Sequence, residues 1–128
     1  MADTNWIAQD DAVVKDLALR SGRILLALLE EMRAIQANYP VAQFLYDEGA
    51  PFIRDVVSGV HPLPSKVVIR HRYSDDSDAM APYPLLDEAL NVFSLSINKA
   101  QPENWPEFVA QLERDFANRE MGTGRKKT

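Results

Sequence analysis

Cysteine is absent from this chain of 128 residues. Its absence excludes disulfide bonds, thiolate catalysis and cysteine-based zinc or iron–sulfur sites, and it suits a reducing compartment. Long apolar runs are absent as well, since the longest, 24–29, falls far short of the roughly 20 residues that a membrane span needs. The N-terminus is polar and acidic, unlike the basic start of a signal peptide. We therefore expect a cytoplasmic protein that does not bind a membrane.

Recognisable catalytic motifs are also missing. No GxSxG, GxGxxG or GxxxxGK[ST] motif occurs, and five glycines leave little backbone to cradle a phosphate. The two histidines, His61 and His71, lack the compact ligand spacing of a zinc site. A calcium loop beginning at Asp76 would need an oxygen ligand and a glycine where Met80 and Ala81 stand. We predict no metal, no cofactor and no enzyme activity; the alternative is a small enzyme whose site is assembled from distant residues.

The charge of the chain is acidic overall but unevenly distributed. The net charge is −5, and residues 74–120 carry an excess of seven acidic groups. In contrast, 66–72 and 121–128 each carry three basic residues and no acidic one. An acidic protein is repelled by nucleic acid at long range and attracted to basic partners, so we expect a partner that is basic or associated with nucleic acid.

The strongest pattern that is present is one long amphipathic helix, predicted from about Asp10 to Tyr39. Pro40 ends it because proline cannot continue the hydrogen-bond ladder, and Gly22 is the expected place for a bend. Such an apolar stripe is stable only when the rest of the chain or a partner covers it. The stripe consists of Val14, Leu17, Ile24, Leu25, Leu28, Leu29, Met32, Ile35 and Tyr39.

Shorter elements follow. Pro40 and Pro51 are each expected to begin a short helix, and Gly49 and Gly59 to end them. Alternating residues predict a strand over 66–73. The segment from Pro84 fits two periods, and we favour a helix over 84–91 followed by a strand over 92–98 that pairs with the first strand.

The last helix is marked more clearly. Asn104 and Glu107 have the spacing of a capping box, and Pro106 suits a first helical turn. Phe108 and three further apolar residues predict its buried stripe, which continues with Val109, Leu112 and Phe116.

These elements predict a single domain over 1–128 of the α+β class in which helix dominates. A long N-terminal helix packs with two short helices and a C-terminal helix, beside one small β element. An all-α bundle is the alternative. Residues 1–8 and 119–128 are expected to be flexible ends.

For function, we predict an interaction protein rather than an enzyme. Its small size, its acidity and its long apolar helix face suit a regulatory module that binds, inhibits or chaperones a larger protein. Self-association through the first helix is a related expectation, since two-fold dimers are the commonest assembly. The predicted interaction surface consists of Lys66, Arg70, Arg72, Tyr73, Asp75, Asp76, Asp78 and Tyr83.

The other alternative is a nucleic-acid-binding accessory protein. Arg70 and Arg72 alternate with His71 and Tyr73, a mixture of cations and aromatic groups that suits contacts to nucleic acid. The acidic segment that follows disfavours direct binding, because it repels phosphate.

Overall fold

The computed structural model describes residues 5–35, 40–67 and 81–127, with the backbone alone over 40–46. Within these residues the chain is dominated by helix and has two short antiparallel strand pairs, as the predicted fold class requires. In chain order the elements are β1 (Trp6–Ala8), α1 (Asp11–Ile35), α2 (Pro40–Val57), α3 (Pro84–Ser96), β2 (Ala100–Pro102), α4 (Trp105–Ala117), β3 (Arg119–Glu120) and β4 (Arg125–Lys126).

The apolar stripe of α1 forms the centre of the core. It contacts α2, α3 and α4, so other parts of the same chain cover the apolar face of α1. Ile35, in the last turn, is largely exposed, and Tyr39 lies outside the described residues. The buried members of the predicted stripe are Val14, Leu17, Ile24, Leu25, Leu28, Leu29 and Met32.

Gly22 allows the helices to approach closely. A Cβ atom at this position would lie 3.0 Å from Phe93 Cε1 in α3 and 3.0 Å from Val57 Cγ2 in α2. Contacts this short are tighter than a well-packed core tolerates without shifts. The structure therefore gives Gly22 a role in helix packing, and the bend expected at this position stays a prediction.

The two short helices expected after Pro40 form one continuous helix, α2, so the predicted break at Gly49 and Pro51 is wrong. Pro51 lies inside the helix with its ring exposed, and it removes one backbone hydrogen bond. Ala50, Ile53 and Val56 bury the same face of α2 on both sides of this position. Their burial against α1 offsets the lost hydrogen bond, because each large apolar side chain contributes about 1.5–3 kcal/mol.

The predicted strand over 92–98 is also wrong, since α3 continues to Ser96. The serines that made the pattern alternate are satisfied within the helix: Ser94 Oγ donates to Leu90 O at 2.7 Å, and Ser96 Oγ donates to Val92 O at 2.6 Å. The proposed hairpin therefore does not form. Lys66 and Val67 are not in a strand, and 68–73 lies outside the described residues.

Helix α4 begins where the sequence placed it, with two differences. Asn104 is the N-cap residue, but its side chain makes no capping hydrogen bond, so the capping box is absent. Val109 and Leu112 are buried as expected, whereas Phe108 remains 47% exposed and stacks on the Trp105 ring at 5.0 Å.

The small β elements lie near the two chain ends. Strand β1 pairs antiparallel with β2, and β3 pairs with β4. The flexibility that we expected for 1–8 and 119–128 stays a prediction, because the structure tests only the conformation of their described parts. The β3–β4 turn is tied to α3, since Gly124 O accepts hydrogen bonds from the N–H groups of Leu85 at 2.8 Å and Leu86 at 3.3 Å. These are N–H groups of the first turn, which have no partner within the helix.

Candidate functional site

The larger of two cavities that we describe is an apolar groove of about 660 Å³ beside β1. This size lies within the range of typical ligand sites. We call it the Trp6 groove. Its walls come from β1, the 64–66 segment, the C-terminal end of α3 and the start of β2, and they consist of Trp6, Pro64, Ser65, Lys66, Leu95, Asn98, Lys99 and Ala100.

The 64–66 wall is held by hydrogen bonds around Ser65, which is itself buried. Its N–H donates to Ile97 O at 2.8 Å, which attaches the segment to the end of α3. Its Oγ lies 3.0 Å from His61 Nε2 and accepts a hydrogen bond from the Val67 N–H at 3.2 Å. His61 thus has a structural role here, because Ser65 Oγ is engaged in holding the loop.

The opposite wall is anchored by a buried polar network around Gln101. Its Nε2 donates to Ser96 O and Asn98 O, both at 3.0 Å, and its Oε1 accepts from Gln9 Nε2 at 3.3 Å. Trp105 Nε1 donates to Ser96 Oγ at 2.9 Å and joins α4 to the same network. Satisfied buried polar groups fix their neighbours in position, so this side of the groove is preorganised.

Trp6 stands on this anchored wall with its side chain exposed. It lies opposite Pro102 in the β1–β2 ladder, and 61% of its surface is accessible. The nearby cation Lys99 is engaged, since its Nζ lies 3.0 Å from both Gln9 O and Asp11 Oδ1. Lys66 makes no ion pair with any described residue. The groove therefore offers a large aromatic face and one positive charge that no carboxylate of the described residues neutralises.

The second cavity, of about 410 Å³, lies between α1, the end of α2 and the 61–63 loop. Its wall is apolar apart from a few groups that include Lys15 and His61. It is lined by Lys15, Leu19, Val56, Val57, Ser58, Gly59, His61, Pro62 and Leu63.

A pair of carboxyl groups joins α3 to α4 away from both cavities. Burial raises the pKa of Glu88 to about 7, helped by a hydrogen bond with Asp115, while Lys126 opposes the rise. Asp115 is buried, accepts from Gln111 Nε2 at 2.8 Å and lies 3.7 Å from Lys126 Nζ. Neither carboxyl group lines either cavity, so the pair is not placed to act on a ligand there.

Of the residues predicted to form an interaction surface, the structure describes only Lys66 and Tyr83, and these two do not lie together. Lys66 lines the Trp6 groove, next to the end of α3, whereas Tyr83 precedes the start of that helix. The 13 residues of α3 separate them by about 20 Å. Tyr83 is half-buried and lies against Gly124. The remaining predicted residues, Arg70, Arg72, Tyr73, Asp75, Asp76 and Asp78, lie outside the described residues.

Sequence reasoning missed most of the groove. Trp6 falls in the end that is predicted to be flexible, and Leu95 and Asn98 fall in the wrongly predicted strand over 92–98. An exposed tryptophan gives a usable sequence signal only when its neighbours are known, and here they come from distant segments.

Among the described residues, no three or more histidine, aspartate or glutamate side chains gather as a metal site. No helix in the described part of the chain has the length and apolarity that crossing a membrane requires. A scan against models of protein families, a search of curated proteins and a search of solved structures found nothing that this chain matches.

Proposed function

We propose that this protein is a cytoplasmic interaction module that binds an apolar segment of a larger protein in the Trp6 groove and thereby regulates it. The observation that carries the proposal is the exposure of Trp6 beside an apolar cavity of ligand size. The absence of cysteine supports a reducing compartment.

Exposed tryptophan beside a concave apolar surface is typical of binding sites. Tryptophan is among the residues that contribute most to protein interfaces, particularly where a partner removes them from water. The wall behind Trp6 is fixed by the Gln101 network, so binding would lose little conformational entropy there. The groove is therefore a better interface candidate than α1, whose apolar face is already covered by the chain.

Charge narrows the chemistry of the bound segment. Lys66 borders the groove without an ion pair to a described residue, so an apolar side chain with a neighbouring carboxylate fits this site. The net charge of −5 acts over a longer range and favours a partner whose surrounding surface is basic. The proposed partner combines a basic surface with a short apolar and acidic segment.

The test compares Trp6→Ala with Phe108→Ala in affinity purification from the native cell. Both variants remove an exposed aromatic ring, but Phe108 lies on α4 and does not line the groove. We expect one reproducible partner whose recovery falls about tenfold or more with Trp6→Ala and stays unchanged with Phe108→Ala. Equal recovery with both variants, or equal loss, would contradict the proposal.

A second variant tests the charge. Lys66→Gln removes the charge and shortens the side chain by only one atom, and we expect a several-fold weaker complex whose salt dependence is reduced. Lys127→Gln is the matched control, because Lys127 is an exposed cation that does not line the groove. An unchanged salt dependence with Lys66→Gln would remove the carboxylate from the proposed partner segment.

A further inference from the structure

The hydrogen bonds between β1 and β2 show which backbone groups face outwards. Asn5 O accepts from the Glu103 N–H at 2.7 Å, and the Gln9 N–H donates to Lys99 O at 2.8 Å. In an antiparallel pair every second residue bonds to the partner strand, so Ile7 also faces β2. The N–H and C=O groups of Trp6 and Ala8 must therefore point away from β2.

The two outer edges of this small sheet differ. On β2 the outward positions are Ala100 and Pro102, and Pro102 has no N–H to donate. On β1 all three residues are exposed, and the N–H groups of Trp6 and Ala8 donate to no other described segment. Proteins commonly protect such edges with proline, charge or a covering element. Here β2 has the proline, and no hydrogen bond from another described segment covers the outer edge of β1.

We propose that the β1 edges of two copies of this chain pair antiparallel about a two-fold axis through Ile7. In this register Trp6 faces Ala8 of the partner subunit, and Ala8 faces Trp6 of the partner subunit. Each of these pairs exchanges two hydrogen bonds, so four bonds satisfy every outward group of both strands. The product is a four-stranded sheet in the order β2-β1-β1-β2.

The side chains fit the same register. Ile7 meets Ile7 of the partner subunit as a non-hydrogen-bonded pair, the closer kind, so two apolar side chains cover each other. On the opposite face, the large Trp6 ring lies beside the small Ala8 methyl group of the partner subunit. The outer strands of the new sheet are both β2, whose Pro102 opposes further pairing, so assembly stops at the dimer.

A second copy is favoured over a foreign strand by this symmetry. The outward groups of β1 lie one residue either side of Ile7, so the strand is its own complement. The first helix, through which the sequence suggested self-association, lacks an exposed stripe for that purpose. Three-residue strands bury little surface, which predicts a weak dimer that forms in the high micromolar range. The dimer and the proposed groove both involve Trp6, but the dimer depends on the backbone groups of Trp6 and Ala8, whereas the groove depends on the Trp6 side chain.

The first test uses engineered cysteines, each of which is the only thiol in the chain. In Ile7→Cys the two thiols meet across the two-fold axis, where Cα atoms of such a pair lie about 4.5 Å apart. In Ala8→Cys they are two residues out of register, about 8–9 Å apart, which is too far for a disulfide. We expect Ile7→Cys to form the disulfide dimer about tenfold faster under mild oxidation. Equal rates, or no dimer from Ile7→Cys, would overturn the proposal.

The second test removes one hydrogen bond donor. Ala8→Pro deletes the outward N–H but leaves the bonds from Asn5, Ile7 and Gln9 to β2, whereas Ala8→Val retains the N–H. Sedimentation equilibrium up to about 1 mM should show a dissociation constant raised about tenfold or more by Ala8→Pro and changed less than about twofold by Ala8→Val. A chain that stays monomeric up to about 1 mM would overturn the proposal. The proposal would also be wrong if the chain were monomeric and Ala8→Pro abolished its binding to a larger protein, because the β1 edge would then bind that protein and not a second copy.

Discussion

The two short strand pairs use the chain ends in opposite ways. The β3–β4 pair is joined to the rest of the fold: Gly124 O caps the start of α3, and Arg125 Nε donates to Pro82 O at 2.8 Å. The β1–β2 pair is anchored through β2, while β1 has an exposed tryptophan and an outer edge that no other described segment pairs with. One end completes the fold, and the other presents a surface.

The largest effect is expected at Gly122, in the β3–β4 turn. Its φ of +76° disfavours any residue with a Cβ, and that atom would overlap Ile35 Cδ1 of α1. We expect Gly122→Ala to lower the free energy of unfolding by about 2–4 kcal/mol, which combines backbone strain with overpacking. Urea denaturation followed by circular dichroism measures this change.

Gly59→Ala is the matched control for that prediction. Gly59 also has a positive φ, +82°, but no atom lies within 4 Å of the added Cβ. Its cost should be only that of the left-handed conformation, about 1 kcal/mol. If the two alanine variants are equally stable, the turn does not pack on α1 as described.

The next effect concerns the ion pair that joins β3 to α1. Arg119 Nε and Nη2 bond to the Glu31 carboxylate at 2.9 and 2.5 Å, and both side chains are less than one-fifth exposed. Arg119→Met would leave the Glu31 carboxylate without this partner, at a cost of about 1–3 kcal/mol. The same urea titration should detect it.

Arg20→Met is the control, since Arg20 also pairs with a glutamate, Glu113, but at 31% and 42% exposure. Exposed pairs contribute less than about 1 kcal/mol, because water screens them. Equal losses in the two variants would show that the β3 pair has no special role in holding the chain end.

A smaller effect depends on pH. The pKa of Glu88 is raised from 4.5 to about 7 in the folded state, so the folded protein holds this proton more tightly than the unfolded chain. Its contribution to stability is complete below pH 4.5 and is lost as pH rises through about 7. Because Glu88 is partly exposed, solvent reduces the effect to about 1 kcal/mol or less.

The measurement is the free energy of unfolding at pH 5 and pH 8 for the native chain and Glu88→Gln. The native chain should lose more stability between these values than the variant, which cannot ionise at this position. Glu113→Gln, which changes a carboxylate elsewhere on α4, should keep the native slope. If Glu88→Gln lost as much stability between pH 5 and pH 8 as the native chain, the raised pKa of Glu88 would be contradicted.

Prediction from the sequence succeeded for elements that a single local pattern defines. It failed where the same residues fit both a helical and a strand pattern. The α1 stripe repeats over seven turns, so no other structure fits it. Over 92–98, by contrast, Phe93 and Ile97 fit both periods, and Ser94 is satisfied inside a helix by Leu90 O. The packing of Phe93 against Gly22 decides the matter, and that contact joins distant parts of the chain.

The site was predictable to a smaller extent for the same reason. Lys66 was singled out because of its charge, and it does line the Trp6 groove. The pairing of β1 with β2 joins residues such as Trp6 and Pro102 that are far apart in sequence. The residues next to each of them give no indication of this pairing. A concave site assembled from four segments depends on tertiary packing, which periodicity does not report.

The smallest effect on stability is expected at Trp6. A small effect follows if β1 is an exposed edge and the β3–β4 pair is part of the packed fold. Trp105 is half-buried, and its Nε1 is hydrogen-bonded to Ser96 Oγ, so Trp105→Ala should cost about 2 kcal/mol. Trp6→Ala removes a ring that water already surrounds, so its cost should stay below about 1 kcal/mol in the same denaturation experiment. A loss at Trp6 as large as that at Trp105 would make β1 part of the structural core rather than an exposed edge of the fold.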